Sequence, residues 1–270
     1  MTEYSLLKDR AIVEISGKDS VSFLQALTTN DISLLESQKS IYNLFLNAQG
    51  RFLFDAFIIK DENRIFLDIS KNHADQFINR MNLYKLHADV NFLVTQDLVL
   101  FYSSTPMNGC ISFKDIRCDS MGYRNIMNEA AEIPAKLNPD LYFYDRYKNA
   151  IPEGFIDFIP DKTLPPLFSA EKLGAISYTK GCYTGQEVIS RTKYQGEVRK
   201  QLYKIEFTEN INLNLSGKEL YQNSELVGYI TSNWKGFAIA LLKKELVRLE
   251  ENIDLDGISG KLFIPSWIKK

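Results

Sequence analysis

The sequence predicts an α+β protein followed by a smaller β domain, and three patterns predict it. Short apolar segments of strand length recur through the first third of the chain. Four stretches with the apolar spacing of helices interrupt them. From residue 199 onward the chain reads as strands separated by turns. With 270 residues and 31.0 kDa there is room for one large or two smaller domains, and the expected division is 1–198 and 199–270.

The elements follow in order. Residues 11–15 alternate as a strand that Gly17 breaks. Asp19 and Ser20 suit the N-cap of a helix carrying Val21, Leu24 and Leu27 on one face. Residues 41–59 read as a hairpin, with the turn residues Ala48, Gln49 and Gly50 between two apolar runs. Residues 64–70 add a strand. A helix then carries Ala74, Phe77, Ile78, Met81 and Tyr84. Strands are expected at 89–94 and 98–103, and a helix opens at Asn138-Pro139 and runs through Leu141, Tyr144 and Tyr147. Residues 152–166, rich in Pro, Gly and Asp, read as an ordered loop. A short helix at 185–194 precedes a strand at 199–207, with later turns near Gly217, Gly228 and Gly236.

Composition excludes several classes. Thirty-two basic and thirty-four acidic side chains leave a net charge of -2, so no overall basic field exists to hold a long nucleic acid. No apolar run approaches a membrane span, and the first ten residues do not read as a signal peptide. A soluble cytoplasmic protein is the expectation. The three cysteines, Cys110, Cys118 and Cys182, form no CxxC pair, which fits a reducing compartment and no metal site. His73 and His87, the only histidines, fall in one expected helix, about 21 Å apart along its axis. The string SGKDS at 16–20 lacks the glycine and the hydroxyl that a phosphate-binding loop needs at Ile12 and Asp19.

KGCYTGQE, residues 180–187, is the most informative stretch. Gly181 and Gly185 permit close backbone approach, and a thiol (Cys182), a phenol (Tyr183) and a hydroxyl lie between them. Lys180 and a helix start near Gly185 would both favour a thiolate at Cys182. Two readings stay open from the residues alone: a reactive cysteine, or a small apolar residue packed in a tight turn.

With Lys180, Gly181, Cys182, Tyr183, Gly185, Gln186 and Glu187 in these positions, the segment resembles the signature of the YgfZ family. These are folate-binding proteins related to the T-protein (aminomethyltransferase) of the glycine cleavage system. Residues 16–32, the hairpin at 46–59, and Asp115, Arg117, Gly122 and Arg124 in a DxR…GxR segment are similar to the family too. So are residues 144–154 and 173–200, and the resemblance fades after 207. It implies a ring of α/β subdomains around a folate cleft, a C-terminal β-barrel, tetrahydrofolate or another reduced folate as cofactor, and Cys182 as the working residue. It implies Asp55, Arg146 and Lys148 as cofactor-binding positions. It also implies a role in assembling or maintaining iron–sulfur enzymes, including support of tRNA methylthiolation, with cluster enzymes or assembly proteins as partners.

Departures from the T-protein pattern bear on the reaction. Where T-protein has two adjacent hairpin aspartates, this chain has Phe54 and Asp55. Its Arg-Leu-Glu-Ala-Gly helix is matched by Arg146, Tyr147, Lys148, Asn149 and Ala150, with a lysine in place of the acid. A lysine cannot accept the paired hydrogen bonds of an amino-pyrimidine edge. The expectation is a folate-binding accessory factor rather than a classical aminomethyltransferase. A folate-dependent one-carbon transferase and an interaction module with a purely structural cysteine are the alternatives. From the residues alone, Asp55 also reads as a solvent-facing acid, and Arg146 with Lys148 as a solvated helix face.

Overall fold

The computed structural model describes residues 3–131 and 136–269, and among them the strands form three antiparallel sheets. The central sheet has the order β3 (Ser40–Leu46), β4 (Phe52–Asp61), β5 (Arg64–Ser70), β2 (Arg10–Ser16), β6 (Asn91–Val94). A four-stranded sheet follows the order β1 (Tyr4–Leu6), β7 (Leu98–Ser103), β9 (Tyr123–Asn128), β8 (Ile111–Lys114). The third has the order β11 (Glu219–Gln222), β12 (Glu225–Lys243), β10 (Lys200–Ile211), β14 (Ile258–Phe263), β13 (Ile253–Leu255). Its edge strands β11 and β13 lie against each other, so the sheet is nearly closed and barrel-like. The helices are α1 (Ser20–Leu27), α2 (Ala74–Lys85), α3 (Leu141–Lys148) and α4 (Gln186–Tyr194).

Every residue of β3 and the first eight of β4 are buried, because the central sheet is covered on both faces. One face packs Phe45, Phe54, Ile58 and Leu67 on Phe77 and Met81 of α2. The other packs Tyr42, Leu44, Phe57 and Ile59 into one core with Leu100, Phe113 and Ile126 of the four-stranded sheet, a core that Ile239 and Leu241 of β12 also join. Strand alternation therefore sends Phe54 and Asp55 to opposite faces. The barrel-like sheet keeps its own apolar interior around Ile205, Val227, Ile230 and Leu262.

Several sequence expectations need correction. In α1 the buried residues are Ser20, Phe23 and Leu24, while Val21 is 54% exposed, because the helix sets Phe23 against Phe92 of β6. Asp19 stands at the N-cap but its carboxylate accepts from the Asp89 amide instead (2.9 Å), tying the helix start to the loop before β6. His73 and His87 flank α2 rather than share it. Gly228 and Gly236 are not turns: both lie inside the nineteen-residue β12. At Gly228 an added Cβ would sit 2.2 Å from the Leu241 carbonyl, so glycine answers a close strand approach. The hairpin turn falls on Asn223 and Ser224, both at positive φ (50° and 64°). No helix among the described residues is long and apolar enough to cross a membrane.

Candidate functional site

Two features stand out, an exposed thiol on an anchored loop and a buried ionic cluster where the sheets meet. Cys182 is the exposed one of the three free cysteines; Cys110 is half-buried and Cys118 buried. The anchoring of its loop comes from Lys180. The ammonium, buried, donates to the carbonyls of Gln25 (2.7 Å), Thr28 (2.6 Å) and Asn30 (2.9 Å) just at and beyond the C-terminal end of α1. The Gln25 and Thr28 carbonyls are among the acceptors a helix end leaves without intrahelical partners, and the three ammonium hydrogens serve them and the Asn30 carbonyl beyond. Burial pulls Lys180 down to about 8, while Asp31 acts in the other direction. The Lys180 charge is thus spent on α1 rather than on the Cys182 thiol, which corrects the expected role of that cation.

Gly185, at φ +84°, is the N-cap of α4 and lies against the β3–β4 turn; a Cβ there would stand 2.6 Å from the Asn47 carbonyl. Gly181 has open space around it, so close approach accounts for only one of the two motif glycines. Tyr183 is buried with its ring 5.1 Å from Lys180 Nζ, and burial raises its hydroxyl to about 12. The Tyr183 amide donates to the Gln186 side chain (3.4 Å), and the Thr184 amide to the Ala26 carbonyl (3.2 Å). Glu187 is exposed and pairs with Arg191 one helical turn on (2.9 Å). We expect Lys180→Met to leave the carbonyls of Gln25 and Thr28 without that donor, Asn30 keeping the Thr28 hydroxyl, and to lower stability by about 1–3 kcal/mol. Urea unfolding checks this; an unchanged midpoint would show that the anchor is dispensable.

The interior cluster joins four arginines to five carboxylates, Asp55, Asp68, Asp115, Glu153 and Asp157, all buried. Asp68 lies between Arg10 (2.6 Å) and Arg124, and Asp115 between Arg124 (3.1 Å) and Arg117 (2.7 Å). The Tyr142 hydroxyl accepts from Arg117 (3.1 Å) and Arg124 (3.0 Å) and donates to Glu153 (2.7 Å). Arg146 pairs with Glu153 (3.4 Å) and with Asp157, which also accepts from Thr231 (2.6 Å) and Ser232 (2.7 Å) of β12. Burial alone would raise the Glu153 carboxyl, but Arg146, then Arg117, Arg10 and Arg124, outweigh it and hold it down to about 2. For Asp115, burial is likewise overcome by Arg117 and Arg124, which keep the carboxyl well below the usual range.

Asp55 is buried rather than solvent-facing. Tyr42 donates to its Oδ2 (3.0 Å), and Gly154 lies directly on its Oδ1. Lys148 does not join it. That lysine is exposed on the outer side of α3, with Nζ 5.2 Å from the Tyr144 ring, so the expected cofactor contact is corrected: Arg146 points inward and Lys148 outward. The buried acid near Arg146 is Glu153, which sequence reasoning left inside a loop. Three buried polar atoms here have no hydrogen-bond partner: Asp55 Oδ1, Arg146 Nη1 and Glu153 Oε2, the last within ion-pair distance of Arg146 Nε (3.4 Å). Among the described residues, no group of His, Cys, Asp and Glu is placed to hold a metal ion.

No protein-family model matches the chain. It is 29% identical over 220 residues to an iron–sulfur cluster assembly factor IBA57 homolog, mitochondrial, of Pyricularia oryzae, covering 74% of this chain and 56% of that protein. The Mycosarcoma maydis homolog is 30% identical over 226 residues, covering 73% and 55% respectively. The human factor is 25% identical over 276 residues, covering 90% and 78%. The chain thus spans a little over half the length of the two fungal relatives. The solved structure of glycine cleavage system aminomethyltransferase T from Bartonella henselae matches with a TM-score of 0.77 over 98% of this chain and 86% of that one. At 14% identity that likeness is one of fold. With the T-protein fold underneath and relatives of one kind along most of its length, the chain belongs to the IBA57/YgfZ family of iron–sulfur cluster assembly factors.

Proposed function

We propose that this protein is a folate-binding factor for iron–sulfur cluster assembly or repair, which presents Cys182 to cluster enzymes or cluster-assembly proteins and thereby supports tRNA methylthiolation. The observation that carries the proposal is the exposed Cys182 thiol on a loop held by Lys180 and Gly185. Relatives named as iron–sulfur cluster assembly factors support the same reading. A cytoplasmic location accompanies it, on the strength of three free cysteines.

The interior donor set fits a reduced folate. The unpartnered Asp55 Oδ1 is an acceptor for an amino-pyrimidine edge, and Arg146 Nη1 is a donor for a ring carbonyl. When bound, such a cofactor supplies a carrier for one-carbon groups. Asp55 and Arg146 would hold and orient it, while Lys148 lies outside.

Aminomethyl transfer does not suit these residues. A general acid–base works best with a pKa near the operating pH, and Glu153 is held down to about 2. Phe54 faces α2, where it packs on Phe77 (5.4 Å). Calorimetry with tetrahydrofolate at millimolar concentration should show binding and thermal stabilisation. The same preparation should fail to turn over an aminomethyl-lipoyl protein. Absence of both heat and stabilisation would remove the folate, and robust turnover would make the chain a transferase.

A further inference from the structure

We propose that Phe155 is a built-in plug over the interior cluster, and that a flat amino-pyrimidine heterocycle enters by replacing its ring on His73. This rests on the folate reading above. The Phe155 and His73 rings are parallel within 4°, their centroids 3.5 Å apart, with Phe52 (5.7 Å) and Phe54 (6.0 Å) against Phe155 at its sides. A ring-sized place stacked on an imidazole and edged by apolar rings suits a planar ligand. A phenyl ring is a poor permanent occupant, because face-to-face stacking is less favourable than offset or edge contacts.

The backbone agrees. Phe155 sits at φ +66°, a region that glycine enters freely and a bulky residue does not. The strain is held by a short turn: the Phe155 amide donates to the Phe158 carbonyl (2.9 Å), and the Asp157 and Phe158 amides to the Glu153 carbonyl (2.9 and 3.2 Å). Directly before Phe155, Gly154 presses on Asp55 so closely that a Cβ would fall 2.0 Å from Oδ1. One turn therefore carries the plug and seals the carboxylate. Asp55 Oδ1, which this turn covers, has no hydrogen-bond partner, and a buried polar atom without one calls for a ligand or water.

His73 is placed to remain as the stacking surface once Phe155 has left. Ser70 Oγ lies 2.9 Å from its Nδ1 and fixes the ring. Asp55 acts on it electrostatically from the cluster side, although burial is the larger influence and lowers its pKa. Phe155 is thus a gating residue for affinity and rate of entry, and His73 a positioning residue.

The test compares the full-length protein with Phe155→Ala and with Phe155→Leu, which keeps apolar volume but removes the stack. Tetrahydrofolate affinity and entry rate are measured alongside hydrogen exchange at the amides of Phe155, Asp157 and Phe158 without ligand. Both variants should exchange faster at those amides and bind tetrahydrofolate more tightly, by about fivefold for Phe155→Ala, because the closed state no longer taxes binding. Tight binding by the unaltered protein with no gain in either variant would overturn the plug alone. Unchanged exchange would do the same. If none of the three proteins binds tetrahydrofolate, the folate reading falls and the ligand half of this inference falls with it.

Discussion

Cys182→Ser should abolish rescue of a deletion strain's iron–sulfur enzymes and methylthiolated tRNA while changing stability by no more than about 0.5 kcal/mol. Function goes to zero in this variant and folding does not, because the thiol is exposed and the loop is held by other atoms. Lys180 fastens it to α1, Gly185 to the β3–β4 turn, and the Tyr183 side chain is buried beneath it. None of those contacts uses the Cys182 sulfur. Cys118 is the control, since it is buried in the main core, where a hydroxyl without a partner costs about 1–3 kcal/mol. Cys118→Ser should therefore lower stability yet keep activity in whatever protein remains folded. The assignment is wrong if Cys182→Ser rescues fully and Cys118→Ser does not.

What was legible in the sequence follows a physical divide. The β3–β4 hairpin, α2 and α4 were readable because each carries its signal within a few residues: paired apolar runs around Gly50, apolar spacing from Ala74 to Met81, and glycine before Gln186. Strand β9 was not, because Arg124 and Asn125 break its hydrophobic pattern with buried polar groups, and β8 is only four residues long. Those groups are apolar-compatible only once folded against partners from distant segments. The ionic cluster draws residues from Arg10 to Asp157, and no local pattern records that Asp68 will lie between Arg10 and Arg124. Family likeness pointed to Asp115, Arg117 and Arg124 as a segment, but not to the buried carboxylates of Asp68 and Asp157. Lys148 misled for the same reason in reverse: position in a motif does not fix which side of a helix faces inward. The exposure of Cys182 goes against the usual burial of free cysteine, which local sequence does not record.

The second large effect belongs to that cluster. Arg124→Met should destabilise the protein by about 3–5 kcal/mol, because it leaves buried carboxylates short of a cation that cannot be replaced by solvent. Arg124 is the bridge of the network, touching Asp68, Asp115 and the Tyr142 hydroxyl at once, with its guanidinium 4.3 Å from the Phe57 ring centroid. Arg10 still holds Asp68 and Arg117 still holds Asp115, so the fold should survive weakened rather than be lost. The pH dependence supplies a separate readout. Glu153 is depressed in the folded state, to about 2 from an ordinary 4.5, so its contribution is full above pH 4.5 and is lost as pH falls through about 2. Asp115 behaves in the same direction. Removing Arg124 takes away one of the charges that depress both groups, which raises their folded-state pKa values and moves acid unfolding to higher pH. Urea unfolding at neutral pH and an acid titration followed by circular dichroism measure the two effects. A loss under about 1 kcal/mol with an unmoved acid midpoint would mean that Arg10 and Arg117 alone neutralise the interior, and that Arg124 is a spectator among its own ion pairs.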